Sequence, residues 1–401
     1  MNSVTLCPTT MPDANNNPSP SVLRAFDFPS RTRLVFGAGS AGRVGEFAGE
    51  TGAKNVLLVT DAGIVTSGHA GRVRASLEAA GLRVTLFDKA RENPTTKCVE
   101  DCVLVARAAG IDCIVGLGGG SSMDTAKGCN FILTNGGQMK DYWGVGKAMK
   151  PMLPFIAIPT TAGTGSEMQS AALIADEITH QKMACLDPNC AARMAILDPT
   201  LTLSQPPRVT ACTGIDAIAH AVESAVTTKR NELSQKLSSE AFKLLVAGFP
   251  VVMSEPGNLA ARSQMQLGAA YAGAAIENSM LGAAHAAANP LTAQFGIAHG
   301  HAVGLMLPQV VRFNSEDAEI SELYSRLAAI AGFEATPKAL AAQLESFLTL
   351  TRLPTSLEAA GVKRDSLPML AEEAARQWTA GFNPRPITAK DFLQLYSAAF
   401  D

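Results

Sequence analysis

The chain has 401 residues, which at roughly 100–200 residues per domain predicts two or three domains. Apolar residues make up 47% and aromatics only 5%, so a sizeable core must be built from Ala, Val, Leu, Ile and Met. The net charge is −3, no stretch is basic, and no apolar run approaches the roughly 18 residues that span a bilayer; neither nucleic acid nor membrane is expected as a partner.

The opening stretch, MNSVTLCPTTMPDANNNPSPS, lacks the charged and apolar regions of a signal peptide and reads as a flexible tail over residues 1–27. All eight cysteines fall between Cys7 and Cys212. No second pair completes a zinc spacing with Cys98 and Cys102, and a disulfide framework belongs to short secreted chains. The cysteines are therefore expected to be reduced and mostly buried, in a cytoplasmic protein.

From TRLVFG onward, strands alternate with helices. NVLLVTD, RVTLFD, IDCIVGLGGG, FIAIPT and RMAILDP read as strands, with helical segments at SAGRVGEFAGETGA, AGRVRASLEAAG and CVEDCVLVARAAG. Such continuous apolar runs predict a parallel sheet covered by helices on both faces. AALIADEITHQKMACLD reads as a hairpin inserted late in this domain. After about Thr202 the strand signals stop, and VTACTGIDAIAHAVESAVT opens a series of Ala- and Gly-rich helices. The expected organisation is an α/β dinucleotide-binding domain with a Rossmann-like parallel sheet over 28–205, followed by an all-α domain over 206–401.

Two glycine loops compete for a cofactor. GAGSAG places Gly37, Gly39 and Gly42 after a strand and before a helix, with Asp61 at the end of the next strand, as the dinucleotide fingerprint requires. GLGGGSSMDTAK ends a strand on Gly118, Gly119 and Gly120 and opens a helix at Ser121, so backbone N–H groups at the helix start can hold phosphates. Ser121 is also placed to cap that helix. A third loop, PTTAGTGSE, brings the hydroxyls of Thr160, Thr161 and Thr164 to the same rim of the sheet.

Asp216 and His220 stand four apart on one predicted helix, one turn from each other. His285 lies on another helix, and His299 follows 14 residues later near the start of the next. Half of the chain's six histidines fall in HAAANPLTAQFGIAHGH. One carboxylate and three imidazoles suit a borderline divalent ion, Fe(II) or Zn(II), with a position left for substrate.

GGGSSMDTAK, PTTAGTGSE, GIDAIAHAVES and HAAANPLTAQFGIAHG resemble, in order and spacing, the motifs of the iron-containing (group III) alcohol dehydrogenases, over about residues 28–400. The resemblance implies NAD and one metal ion in a cleft between the two domains. It implies Asp216, His220, His285 and His299 as ligands, and it settles the glycine contest: Gly119, Gly120 and Ser121 become the pyrophosphate binders. Asp124, Thr160, Thr161 and Thr164 fall at cofactor-facing positions, and Lys182 matches a lysine near the nicotinamide ribose. Asp61 matches the acidic residue near the adenosine ribose, which favours NAD over NADP.

The implied reaction is reversible oxidation of a small alcohol to an aldehyde or ketone, with cleft closure bringing ion and cofactor together. A homo-oligomer, a dimer or larger, is implied too. The chain departs from the pattern at Asn289, where many members carry a histidine; an amide cannot titrate, but it can orient the substrate oxygen or a water. His301 is the stand-in considered for a proton relay. Three rivals remain: an NAD-using lyase or cyclase like dehydroquinate synthase, a metal-free carbonyl reductase of the same superfamily, and a non-catalytic descendant with a structural metal.

Overall fold

The computed structural model describes residue 24, residues 26–179 and residues 181–401; the tail expected over 1–27 lies largely outside them. The first half contains, in order, β1 (Arg33–Phe36), α1 (Val44–Glu50), β2 (Asn55–Val59), α2 (Ala62–Thr66), α3 (His69–Ala79), β3 (Arg83–Phe87), α4 (Thr96–Ala109), β4 (Cys113–Gly118) and α5 (Gly120–Asn135). Five strands follow: β5 (Gly144–Val145), β6 (Phe155–Pro159), β7 (Ala171–Ala175), β8 (Lys182–Leu186) and β9 (Met194–Leu197). Six strands form one sheet in the order β1-β9-β6-β4-β2-β3, parallel at every pairing.

The strand pattern follows from burial on both faces. Val56 and Leu58 of β2 join one apolar cluster with Phe47 of α1 and Val73 of α3. Leu57 and Val59 join the opposite cluster with Val99 of α4 and Met123 of α5. Side chains alternate at a period of two, so covering both faces makes every position apolar. The expected hairpin is present as antiparallel β7 and β8, and β5 adds to β8 in parallel to make a second, three-stranded sheet.

The chain leaves β2 for β3 on one side of the sheet and leaves β4 for β6 on the other. The crevice this reversal creates opens over the carboxyl ends of β2 and β4, where an open α/β sheet binds its ligand.

Helices account for the rest: α6 (Pro207–Ser224), α7 (Glu232–Ser254), α8 (Leu259–Ser279), α9 (Ala283–Phe295), α10 (His299–Asn314), α11 (Ala318–Ile330), α12 (Pro337–Leu350), α13 (Leu367–Ala375) and α14 (Ala389–Ala398). By length and composition alone α7 is apolar enough to cross a membrane. Here Ala241, Phe242, Leu245 and Phe249 of α7 are fully buried in the helical core.

The two halves are interlocked. Gln266 of α8 donates to the Pro159 carbonyl at the end of β6 (3.0 Å). A methyl group at Gly273 of α8 would lie 2.6 Å from the carbonyl oxygen of Gly165, so those backbones are in direct contact. Ser170 donates its backbone N–H to Glu277 of α8 (2.9 Å), and its hydroxyl bonds to the same carboxylate. Ser170 is thus an interdomain anchor.

Candidate metal centre and cofactor cleft

The turn from β4 into α5 forms the floor of the crevice. Gly118 has φ +147°, a conformation that strains any residue with a side chain. The helix begins at Gly120 with Gly119 at the cap and no side-chain cap bond, so the expected cap at Ser121 falls two residues too late. The first backbone N–H groups of α5 are therefore left to a ligand. Methyl groups at Gly119 and Gly120 would meet Thr161 at 3.3 Å and Thr164 at 2.9 Å, so the threonine loop lies directly over the glycines.

That loop is held from beneath. Lys127 of α5 is fully buried and donates to the carbonyls of Ser166 (2.7 Å), Gln169 (2.8 Å) and Ala171 (2.9 Å) and to the Ser166 hydroxyl (3.0 Å). Asp124 is buried beside it and accepts from Ser166 Oγ (3.1 Å), bracing the loop. Burial raises its pKa to about 6, against the pull of Lys127 and Lys182. Thr160 is buried, whereas Thr161 and Thr164 are half-buried at the rim.

Asp61 sits at the end of β2, beside the glycine turn. Its carboxylate accepts from Ile64 N (3.1 Å), capping α2, and from Ser122 Oγ (3.3 Å). The rival glycine loop is closed by the protein itself: Gly39 N and Ala41 N donate to the two oxygens of Asp198 (3.0 and 3.1 Å). A carboxylate from the end of β9 already occupies the anion position there.

Across the crevice, the helical domain assembles a buried cluster. Asp216, His220 and His285 present one ligand atom each, all within 4.8 Å of one another. Asp216 Oδ1 is 3.5 Å from His220 Nε2 and 3.4 Å from His285 Nε2. Metal–ligand bonds of about 2.1 Å at a tetrahedral angle put donor atoms about 3.4 Å apart. The ring of His299 is 5.4 Å from that of His285, centroid to centroid. It stands beside the tight trio and completes the set of four brought together.

The donor atoms fit an ion better than they fit each other. Asp216 Oδ1 and His285 Nε2, which face each other, are buried without a hydrogen-bond partner, and so are the Nδ1 atoms of His220 and His299. An unsatisfied buried polar atom costs about 1–3 kcal/mol, so the facing pair of Asp216 Oδ1 and His285 Nε2 calls for a ligand. Burial alone would raise the Asp216 pKa, but His220, His285 and His299 together hold it below the usual carboxylate range. Burial lowers His299 to about 3, so its imidazole is neutral and free to coordinate.

Two contributors escaped the sequence reading. Glu223, one turn after His220 on α6, bonds His285 Nδ1 and accepts from Ala284 N (2.7 Å). Its spacing of seven from Asp216 puts both on one face of α6, a signal present within GIDAIAHAVES. Gly300 is the second: a methyl there would lie 2.0 Å from the carbonyl oxygen of Cys212, so α10 meets α6 backbone to backbone beside His299.

Lys182 opens β8. It is exposed to solvent yet hemmed in by protein, and that crowding lowers its pKa against the attraction of Asp124 and Asp216. Asn289 lies one turn after His285 on α9, half-buried, and donates to Gln377 Oε1 (3.0 Å). His301 is not brought into the cluster. It is buried, and its Nε2 bonds the Pro354 carbonyl oxygen (2.7 Å), which withdraws that nitrogen from a relay. The cysteines among the described residues are all free, and all but Cys212 are buried.

Comparison with known proteins gives a consistent picture. Residues 31–199 match the family described as iron-containing alcohol dehydrogenase, and residues 210–400 match its C-terminal family. The chain is 33% identical to the NAD-dependent methanol dehydrogenase of Bacillus methanolicus over 371 residues, 91% of this chain and 97% of that protein. Among solved structures, a 1,3-propanediol oxidoreductase superposes with a TM-score of 0.90 at 30% identity, covering 94% of this chain and all of the other. The sulfoacetaldehyde reductase of Bifidobacterium kashiwanohense, in complex with NAD+, superposes at 0.86 with 28% identity, over 94% of this chain and 99% of that one.

Proposed function

The chain belongs to the iron-containing alcohol dehydrogenase family, and we propose that its cleft interconverts a small alcohol and the corresponding aldehyde or ketone with NAD(H) and one divalent ion. The observation that carries this reading is the buried cluster of Asp216, His220 and His285, in which Asp216 Oδ1 and His285 Nε2 lie 3.4 Å apart and neither has a hydrogen-bond partner. When bound, the nicotinamide exchanges a hydride with the carbinol carbon, and the ion polarises the alcohol oxygen and lowers its pKa.

The chain's own residues do the rest. Asp216, His220, His285 and His299 hold the ion, Fe(II) in our reading, with Zn(II) the competitor that binds such sites more tightly. The free amides of Gly119, Gly120 and Ser121 hold the pyrophosphate. Asp61, already directed at the glycine turn, accepts from the adenosine 2′-hydroxyl and repels a 2′-phosphate. Thr160, Thr161 and Thr164 wall the cofactor, and Asp124 with Lys127 keeps that wall in place. Lys182 orients the nicotinamide ribose. Asn289, one turn from His285, is a non-titrating polar contact for the substrate oxygen, so proton release does not depend on an imidazole at this position.

A lyase or cyclase of the same architecture would use NAD without net turnover. The family membership and the acidic and histidine ligand set favour the dehydrogenase. We also read the protein as a homo-oligomer, in a dimer or larger assembly, working in the cytoplasm; the free, mostly buried cysteines are in keeping with a reducing compartment.

The test is metal content on anaerobically purified protein, with a panel of short alcohols and diols assayed for NADH accumulation. About one Fe or Zn per chain, lost in His285→Ala together with NADH formation, supports the reading. No ion in the wild type after incubation with Fe(II) and Zn(II) would move the function to metal-free carbonyl reduction.

A further inference from the structure

We infer that Glu223 is the positioning residue of the metal centre: a buried carboxylate that fixes the tautomer of His285 and, from another helix, caps the helix that carries it. The inference rests on the reading of the four-residue cluster as a metal site.

Helix α9 starts at Ala283 after Gly282, and no side chain of its own caps it. The residue three before its start, Met280, has φ +111° and ψ −178°, a region that essentially only glycine adopts without strain. A helix entered through a strained turn and without a cap needs an external hold. Glu223 supplies it: Oε1 accepts from Ala284 N (2.7 Å), one of the first-turn N–H groups that no helix can satisfy internally. A carboxylate at a helix N-terminus is also favoured by the helix dipole. Gly282 leaves the approach open, since a methyl there would lie 3.2 Å from Glu223 Oε1.

The second oxygen sets the chemistry. Glu223 Oε2 is bonded to His285 Nδ1. A carboxylate accepts, so Nδ1 carries the hydrogen, which leaves Nε2, 3.4 Å from Asp216, as the nitrogen open to an ion. His285 thus has one nitrogen committed to Glu223 and the other, partnerless, aimed into the site. Glu223 is 2% exposed, so water cannot take its place.

A glutamine at this position is a sharp probe. It offers one acceptor and one NH2 where the structure requires two acceptors. If the NH2 faces Nδ1, the imidazole must carry its hydrogen on Nε2, where the ion should bind. If it faces Ala284 N, the cap is lost and α9 is free to shift. Removing such a partner typically weakens metal binding by about 10–100-fold.

The experiment measures Zn(II) affinity of full-length wild type, Glu223→Gln, Glu223→Asp and Glu223→Ala by competition with a chromophoric chelator. The d–d absorption of the Co(II)-loaded proteins and the far-UV circular dichroism are recorded alongside. The expected result is a 10–100-fold rise in the Glu223→Gln dissociation constant with a weakened Co(II) band and unchanged helix content. Glu223→Asp, which keeps two acceptors on a shorter stem, should recover part of the affinity, and Glu223→Ala none. Wild-type-like Zn(II) affinity in Glu223→Gln, or in Glu223→Asp and Glu223→Ala should the glutamine variant not fold, overturns the inference and leaves the metal site standing. Absence of Zn(II) binding by wild type overturns both.

Discussion

Gly300 of α10 and Cys212 of α6 touch backbone to backbone, one residue away from His299 and one turn before Asp216; a methyl group on Gly300 would lie 2.0 Å from the Cys212 carbonyl oxygen and 3.1 Å from Asp216 Cβ. This contact brings the fourth histidine to the site. Gly300→Ala must push the start of α10 away from α6, because neither backbone can yield as a flexible side chain would. Overpacking of this kind costs about 1–3 kcal/mol. The expected outcome is a lower unfolding temperature together with loss of bound metal on dialysis. Metal content equal to wild type at equal protein concentration would show that His299 does not depend on this contact.

The two glycine loops give a paired prediction. A methyl at Gly42 meets nothing within 4 Å, whereas one at Gly120 lands 2.9 Å from Thr164. Gly42→Ala should leave the NAD dissociation constant within about twofold of wild type, and Gly120→Ala should weaken it roughly tenfold or more, about 1.4 kcal/mol. Titration calorimetry with NAD decides between them. Equal losses in both variants would return the phosphate role to GAGSAG.

Cofactor choice is predicted to reside in Asp61. Replacing it with Asn removes the charge that opposes a 2′-phosphate while keeping a helix cap of similar strength for α2. The KM for NADP should fall and that for NAD should rise, with little change in unfolding temperature. Unchanged selectivity, measured as the ratio of kcat/KM for the two cofactors, would place discrimination elsewhere.

Glu167 gives the pH prediction. It is buried in the threonine loop, and burial raises its pKa to about 7 against its own backbone amide and Lys127. In the unfolded chain a glutamic acid titrates near ~4.3. Below that pH both states hold the proton and the full stability is present. Between about 4.3 and 7 the unfolded state loses its proton while the folded state keeps it, so stability falls as pH rises and levels off above the folded value. Glu167→Gln removes this loss. Its unfolding temperature relative to wild type should climb from pH 4.5 to 7 and stay level to pH 8.5; a pH-independent difference would mean that Glu167 is ionised in the folded protein.

The sequence by itself determined the class of each element and the residue types of the site. Strands buried on both faces must be apolar throughout, and IDCIVGLGGG and FIAIPT display that in one dimension. Asp216 and His220 are four apart on one helix, so their adjacency is fixed by helical geometry alone. The rest depended on contacts between segments distant in the chain. GAGSAG satisfied its fingerprint locally, and only the arrival of Asp198 from the end of β9, about 160 residues on, filled its anion position with a carboxylate. Likewise His301 looked available beside His299, but α10 turns it towards Pro354, while Glu223, unremarkable in sequence, is delivered to His285 by the packing of α6 against the start of α9. Local spacing specifies what lies within one helix or turn. Which donors stay free for a ligand is decided by the groups that tertiary packing brings to them, because a buried donor takes whichever acceptor the fold places within reach.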